Sequence, residues 1–254
     1  MIAELAVTVD VDGEAGLPDG GRGYEHRLSS RSERTYGIAR GLPRILAVLA
    51  EFEVTATFYV PGITAQRHPD EIREIVELGH ELGHHGHSHR RPDTLSAGDQ
   101  RDEIELGSAA LAEHGSAPLG YRAPGWELTD TTLGLLAEHG FLYDSSLMGD
   151  DRPYTVAVGD RSLVELPVHW SLDDAPYFSA HADPAGLLAV WSRELELAAA
   201  ERRPLTLTLH PEILGRPHRA DVLRRILERA SALGLRSVTH AALASATRPR
   251  PAAP

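Results

Sequence analysis

The stretch Ile2–Glu14, IAELAVTVDVDGE, decides the fold of this chain. Its apolar and β-branched residues predict a buried strand that ends at Asp10 and Asp12. Side chains two residues apart on a strand point to the same face, so both carboxylates would lie together. At the carboxyl end of a parallel strand, one carboxylate can bind a cation while the other handles protons. An Asp-Gly turn that merely ends the strand is the alternative.

Beyond this stretch, short strand-like runs alternate with helical segments. The apolar, β-branched runs that predict further strands are Val54–Val60, Leu205–Leu209 and Ser237–Thr239. The segments with helical periodicity are Arg34–Phe52, Pro69–Leu78, Ala97–His114, Thr129–His139, Pro184–Arg202 and Arg219–Leu233. This alternation predicts an α/β fold with a parallel sheet, either doubly wound or closed. We favour a distorted, incomplete barrel.

Two irregular regions interrupt the pattern. Gly13–Arg31 predicts a long loop just after the first strand, which in a barrel is the catalytic rim. Tyr154–Phe178 holds strand-like pieces at Tyr154–Val158 and Leu163–Val168, which predict a hairpin or a rim insertion. With 254 residues, we expect a single domain over residues 1–246, followed by a disordered tail, Thr247–Pro254.

Composition excludes several classes of protein. A net charge of -12 disfavours a nucleic-acid partner, which calls for a basic face. The chain has no cysteine, so any metal must be held by nitrogen and oxygen donors. The sequence shows neither a signal-peptide pattern nor an apolar run of about 18 residues, from which we expect a cytoplasmic protein without a membrane span.

A second cluster, GHHGHSHRRP at residues 83–92, places four histidines within six positions. His85 and His89 have the four-residue separation that lets two imidazoles reach one ion, and imidazole suits zinc, cobalt, nickel or iron. A histidine-rich surface loop, or a binding tract without catalysis, is the alternative.

Two further motifs carry candidate chemistry. Arg122 stands beside a proline-fixed turn in GYRAPGW, where a guanidinium could orient a carboxylate or form a surface ion pair. His210 follows the strand-like run LTLTL, where an imidazole could act as a general acid or serve a structural role.

In this order the four motifs resemble the polysaccharide deacetylases, the NodB-homology hydrolases of carbohydrate esterase family 4, from Ile2 to about Leu243. TVDVDGE, GHELGHHGHSH, YDSSLM, ELPVHWSLDDAPYF and LHPEILGRPHR are similar to the branch with peptidoglycan-deacetylase-like, allantoinase-like and cyclic imide hydrolase proteins. The resemblance implies a distorted (β/α)7 TIM-like barrel with its site at the carboxyl ends of the strands. It also implies a homo-oligomer such as a tetramer.

The resemblance implies a role for each motif residue. Asp12, His85 and His89 would bind a divalent metal, zinc before cobalt, nickel or iron, and Asp10 would be the general base. Arg122 would orient that base, and His210 would be the general acid. Allantoinase-like members can lack part of the metal triad, whereas this sequence keeps all three ligands. The first motif departs from the family in reading Asp-Val-Asp, and His87 has no assigned role.

The resemblance and these residues together imply a metal-dependent hydrolase of non-peptide carbon-nitrogen bonds, acting on a glycan or a small molecule. N-deacetylation of an acetylated sugar or related acylated substrate is the first expectation, and hydrolysis of a cyclic imide or ureide is the alternative. A non-catalytic metal-binding barrel and a non-haem iron oxygenase, which also uses two histidines and a carboxylate, are further alternatives. The residues we expect to contact substrate are Glu14, Trp126, Asp174 and Tyr177. The aromatic ones serve either as a sugar platform or as rim packing.

Overall fold

Alternating strands and helices build the fold in a computed structural model that describes residues 3–17, 26–115 and 117–247. The strands are β1 (Glu4–Asp10), β2 (Thr57–Val60), β3 (Glu81–His84), β4 (Gly120–Tyr121), β5 (Tyr143–Asp144), β6 (Tyr154–Val158), β7 (Arg161–Glu165), β8 (Leu205–Leu209) and β9 (Arg236–Ser237). The helices are α1 (Leu28–Tyr36), α2 (Leu42–Glu51), α3 (Gly62–Arg67), α4 (Pro69–Glu77), α5 (Ala97–Ala112), α6 (Asp130–Glu138), α7 (Asp174–Ala180), α8 (Pro184–Glu201), α9 (Pro217–Ala232) and α10 (His240–Ala246).

One curved sheet forms the centre, in the hydrogen-bonded order β6-β7-β5-β4-β3-β2-β1-β8, with β9 beside β1. Among the described residues, the seven strands from β7 to β8 along this order are parallel, and β6 runs antiparallel to β7. The strand order does not close on itself, although a single bridge joins Asp173 to Thr208 of β8. These findings confirm the predicted α/β class and the distorted, incomplete barrel.

The two faces of β1 explain how the sequence divides core from site. Leu5, Val7 and Val9 belong to the large apolar cluster between the sheet and its helices. The alternate residues Thr8 and Asp10 are also buried, but they bond to polar partners inside the barrel. This period of two carries Asp10 to the interior at the carboxyl end of the strand.

Several elements differ from the sequence prediction. The described part of the predicted Gly13–Arg31 loop holds a 3-10 turn at Gly13–Gly16 and the start of α1 at Leu28, while residues 18–25 lie outside the described ranges. The hairpin predicted within Tyr154–Phe178 is present as β6 and β7, and α7 follows it. Of the predicted tail only Thr247 is described. Within the described ranges, none of the helices combines the length and hydropathy needed to cross a bilayer.

The backbone between α1 and α2 packs closely against the backbone that follows β8. A π-helical turn, Gly37–Gly41, joins α1 to α2 and lies against Pro211. A Cβ added at Gly41 would collide with the carbonyl oxygen of Pro211, and one at Gly215 would meet the same atom. Only hydrogen fits at these positions, so the residue after His210 is held in place by glycine contacts.

Replacement of Gly41 by alanine tests this contact. The collision with a backbone carbonyl should lower the free energy of unfolding by at least about 1–3 kcal/mol, as overpacking typically does. The matched control is Gly134→Ala in α6, where an added Cβ meets nothing within 4 Å. That control should be more stable by about 0.5–1 kcal/mol because alanine favours a helix. Urea denaturation of both variants measures the difference, and equal stabilities would contradict the packing argument.

Candidate metal centre and active site

Three predicted metal ligands meet at the carboxyl ends of β1 and β3. Asp12 Oδ1 lies 3.3 Å from His89 Nε2 and 3.6 Å from His85 Nε2. All three ligand atoms fall within 4.8 Å of one another. Bonds of about 2.0–2.1 Å around a tetrahedral ion place neighbouring ligand atoms about 3.3 Å apart, so this spacing fits a first-row divalent metal.

The chemistry of the donors also fits a metal. Asp12 Oδ1 is buried without a hydrogen-bond partner among the described residues, an arrangement that is costly unless a cation approaches it. His85 Nδ1 lies 2.7 Å from the carbonyl oxygen of Arg122 and donates to it, which leaves the Nε2 lone pair facing Asp12. Burial lowers the pKa of His85 to about 4, so its imidazole is neutral at pH 7 and able to ligate.

The Asp12 carboxylate is held in its ionised form by its surroundings. Burial alone would raise its pKa, but the imidazoles of His89, His210 and His85 lower the pKa of Asp12 well below its usual value. On the other side, the Arg34 guanidinium lies 3.5 Å from Asp12 Oδ2 and also pairs with the buried Glu212. Arg34 lies outside the motifs and Glu212 lies within LHPEILGRPHR, but sequence reasoning assigned a role to neither.

Two of the four histidines in the GHHGHSH segment face Asp12, and the other two do not. His89 has a φ of 61°, a backbone conformation that non-glycine residues rarely adopt and that often marks functional sites. Its ring packs edge-on against His85, with centroids 4.9 Å apart. His84 points away from the site and bonds to the carbonyl oxygen of Ile104. His87 is not part of the Asp12 group, because its ring lies against Gly62.

Asp10 and Arg122 form a buried ion pair beside these ligands. The Arg122 guanidinium is fully buried and donates to Asp10 Oδ1 at 2.7 Å. It also donates to Thr8 and twice to Ser145, so its orientation is fixed. The second oxygen of Asp10 lies 3.9 Å from His85 Nε2 and therefore faces the ligand group.

His210 directly follows β8, whose carboxyl end lies beside the carboxyl end of β1. Its Nδ1 lies 2.7 Å from Asp174 Oδ1 and 3.5 Å from Asp173 Oδ1. Burial would lower the pKa of His210, but Asp173, Asp174 and Asp12 raise it well above the usual value. The imidazole is therefore protonated at neutral pH, with Nε2 left to donate. Sequence reasoning expected the DDAPY segment near the site by resemblance but assigned no role to Asp173.

The four predicted substrate contacts lie in different surroundings. Asp174 is fully buried and bonds to the main chain and the ring of His210, so we assign it a positioning role instead of a substrate contact. Glu14 pairs with His68 at 2.8 Å, and that bond lowers the pKa of Glu14 to about 2. Trp126 is mostly buried and stacks on Trp170, with ring centroids 4.6 Å apart. The Tyr177 hydroxyl bonds to the main chain at residue 183.

Two buried carboxyl groups fix the turn that bonds to Arg122. Asp144 and Glu165 are register partners on β5 and β7 and are almost fully buried. They accept hydrogen bonds from Ser146 and from the Leu147 amide, which fixes the turn whose Ser145 carbonyl receives Arg122. Burial raises the pKa of Asp144 to about 6 and that of Glu165 well above its usual value, so the pair retains a proton.

Comparisons with known proteins agree with this architecture. Residues 36–143 match the family described as polysaccharide deacetylase. The peptidoglycan deacetylase of Helicobacter pylori is 31% identical over 261 residues, covering 88% of each chain. The crystal structure of a putative polysaccharide deacetylase from Mycobacterium smegmatis is 40% identical, with a TM-score of 0.93 over 100% of this chain and 93% of that one. A Puue allantoinase shares the fold, with a TM-score of 0.87 at 23% identity over 96% of this chain and 89% of that one.

The chain therefore belongs to the polysaccharide deacetylase family, as the ordered motifs predicted. It is a hydrolase of the deacetylase class, which acts on the carbon-nitrogen bond of an amide. Deacetylases of this family depend on a metal, and Asp12, His85 and His89 offer a possible site for one.

The pairing of His210 with Asp174 predicts a specific pH effect. His210 is protonated below its raised pKa, so activity that needs this proton should fall as the pH rises through that value. Asp174→Asn removes one of the charges that raise the pKa, and the alkaline limb of kcat/KM should move to lower pH. Asp70→Asn, at an exposed carboxylate paired with Arg73, is the control and should keep the wild-type profile. An unshifted limb in Asp174→Asn would refute the coupling.

The Asp144–Glu165 pair predicts a loss of stability with rising pH. Both pKa values are raised on folding, so the pair contributes fully below the unfolded values of about 4 and loses its contribution as the pH rises through 6 and above. Glu165→Gln removes one titrating group but keeps an acceptor for Ser146 and Leu147, so the free energy of unfolding should fall less steeply. Denaturation at a series of pH values measures this, with the exposed Glu228→Gln as control. Identical slopes in the two variants would contradict the shared proton.

Proposed function

We propose that this chain is a metal-dependent N-deacetylase of an acetylated amino sugar, in a glycan or a related small molecule. One observation carries the proposal. Asp12 Oδ1, His85 Nε2 and His89 Nε2 converge within 4.8 Å of one another, and Asp10 is held beside them by Arg122. A metal-dependent amide hydrolase needs a cation, a base and an acid in one site, and in this proposal His210 supplies the acid.

Zinc is the metal that we propose, because a carboxylate and two imidazoles leave one position open in a four-coordinate site. Asp12, His85 and His89 would hold it. When bound, such an ion lowers the pKa of water and polarises a carbonyl oxygen, which stabilises developing negative charge by several kcal/mol. The neutral His85 ring and the ionised Asp12 carboxylate are the forms that metal binding requires.

Asp10 is the general base in this proposal. Arg122 engages Oδ1 and leaves Oδ2 on the side of the metal ligands, where a water molecule would lie. The fixed guanidinium holds the carboxylate in one rotamer and compensates its charge. Asp10 Oδ2 would take the proton of the attacking water, a transfer that typically contributes about 100-fold to 10,000-fold.

His210 is the general acid. An amide nitrogen departs poorly unless it receives a proton, and the protonated His210 ring can supply one from Nε2. Asp174 on Nδ1 fixes the ring orientation, and Asp173 adds a second carboxylate. Leu209, the residue before His210, is the register partner of Val9, the residue before Asp10, which supports an acid close to the base.

An acetylated amino sugar is the substrate class that the surroundings support best. The Helicobacter pylori relative is named a peptidoglycan deacetylase, and 88% of its length is covered here. Trp170 is 48% exposed and is backed by the stacked Trp126, which leaves one aromatic face for a sugar ring. The homo-oligomer implied by the branch resemblance stays a prediction.

Two substitutions separate the base from the metal ligands. Asp10→Asn should lower kcat by at least about 100-fold while the protein still binds one equivalent of zinc. His89→Ala removes one of the three ligands, so both zinc content and activity should fall. Release of acetate from N-acetylated sugars, with metal analysis of each protein, measures the two effects. Loss of zinc from Asp10→Asn would contradict the division of roles, and full activity of metal-free His89→Ala would contradict metal dependence.

The same assay tests the substrate class. Metal-stripped and zinc-reconstituted protein would be offered N-acetylated sugars, cyclic imides and ureides. We expect acetate release from the sugars only after reconstitution. Turnover of imides or ureides alone would identify the alternative amidohydrolase, and no turnover of any of them would favour a binding protein.

A further inference from the structure

The segment between the two metal-ligand histidines is held by a carboxylate from another element. Glu103 of α5 is only 6% exposed, and its Oε2 accepts hydrogen bonds from the amides of His87 at 2.8 Å and Ser88 at 2.7 Å. Its Oε1 accepts from the Ser88 hydroxyl and from the Arg90 guanidinium, the latter at 3.1 Å. One side chain therefore receives four donor groups from three residues of the same turn, His87, Ser88 and Arg90.

This turn has an unusual backbone that needs such support. Gly86 has a φ of 71° and His89 has a φ of 61°, so the chain adopts a left-handed conformation at two positions within four residues. For a histidine this conformation costs of order 1–3 kcal/mol, and it persists only when the surrounding contacts hold it. The amides of His87 and Ser88 find their partner in Glu103 instead of in a strand or helix.

The opposite side of the turn is fixed by carbonyl groups. The amides of Gly62 and Ile63 donate to the carbonyl oxygens of Gly86 at 3.0 Å and His87 at 2.9 Å. The turn is thus held by its carbonyls on the side of α3 and by its amides on the side of α5. Glu103 is the partner on the α5 side, and its loss would free the amides that immediately precede His89.

The charge and the burial of Glu103 agree with a carboxylate that holds the turn. A buried carboxylate is costly unless hydrogen bonds and charges satisfy it. Burial alone would raise the pKa of Glu103, but the bonds from Ser88, His87 and Arg90 lower it below the usual value. Glu103 is therefore ionised at neutral pH, with its oxygens committed to the turn.

We propose that Glu103 is a positioning residue that presents His89 to the metal and thereby sets the metal affinity of the site. The inference rests on the metal site of the proposed function. Glu103 touches neither the ligand atoms nor Asp10, Arg122 or His210 in the described contacts, so it acts on the ion through the backbone of the turn.

Glu103→Gln tests the proposal with little change in volume. An amide offers one acceptor oxygen and places an NH2 donor where a carboxylate oxygen stood, so the four donors cannot all be satisfied. The zinc affinity of the folded protein should fall by about 10–100-fold, the usual effect of losing an outer partner of a metal ligand. With saturating zinc, kcat should return to within a few-fold of the wild type.

Glu105→Gln is the matched control. It makes the same substitution on the same helix, where Glu105 is exposed and pairs with Arg101 and His139. It should bind zinc as tightly as the wild type. Ser88→Ala is the second variant, since it removes one donor of the four and leaves the glutamate. Its zinc affinity should fall by a smaller factor.

The measurement is a titration of metal-stripped full-length protein with Zn²⁺ in competition with a chromophoric chelator. Thermal unfolding of the metal-free proteins reports whether each variant folds. Wild-type affinity in folded Glu103→Gln would overturn the inference, since a purely structural role changes stability without changing affinity. If that variant does not fold, wild-type affinity in Ser88→Ala overturns it instead. Failure of the wild type to bind one zinc would overturn the proposed metal site as well. The wild-type titration therefore distinguishes a failure of the proposed function from a failure of the Glu103 inference alone.

Discussion

The site depends on the Arg122 guanidinium, a positive charge that no solvent reaches. Such a charge is very costly unless it is paired and its donors are satisfied, and Asp10, Thr8 and Ser145 supply those partners. The main-chain carbonyl of the same residue accepts the Nδ1 proton of His85. One residue therefore orients Asp10, the proposed base, through its side chain and His85, a proposed metal ligand, through its backbone. Asp10 and His85 are thus fixed relative to each other by a single residue, which directly follows β4.

Two imidazoles at the same mouth adopt opposite charge states because their neighbours differ. His85 is buried and bonds to a neutral carbonyl, so its pKa falls to about 4 and the ring stays neutral. His210 is also buried but contacts Asp173 and Asp174, so its pKa rises and the ring holds a proton. Environment, not residue type, gives His85 the neutral form that a metal ligand needs and His210 the protonated form that an acid needs. Both states are available together at neutral pH without any rearrangement of the described residues.

Periodicity and motif order predicted the fold class, since β1 and β8 are long enough to show their pattern and the helices show theirs. The strands β3, β4 and β5 have two to four residues, and no pattern can emerge at that length. Residue types at strand ends identified Asp10 and His210. The partners Asp173, Arg34 and Glu103 were not predicted, because a counter-charge is defined by distance in space and leaves no spacing in the sequence. The resemblance supplied residue roles that spacing alone left open.

The sheet stays open between its edge strands β6 and β8, and the segment after β7 reaches β8 through a bridge between Asp173 and Thr208. This one segment carries the exposed Trp170 and the two carboxylates that charge His210. An insertion or deletion in this segment would therefore displace the aromatic ring and the acidic pair together. Trp170 lies only three residues before Asp173, so the proposed breadth of substrates and the proposed proton supply of His210 are tied to one short run of the chain.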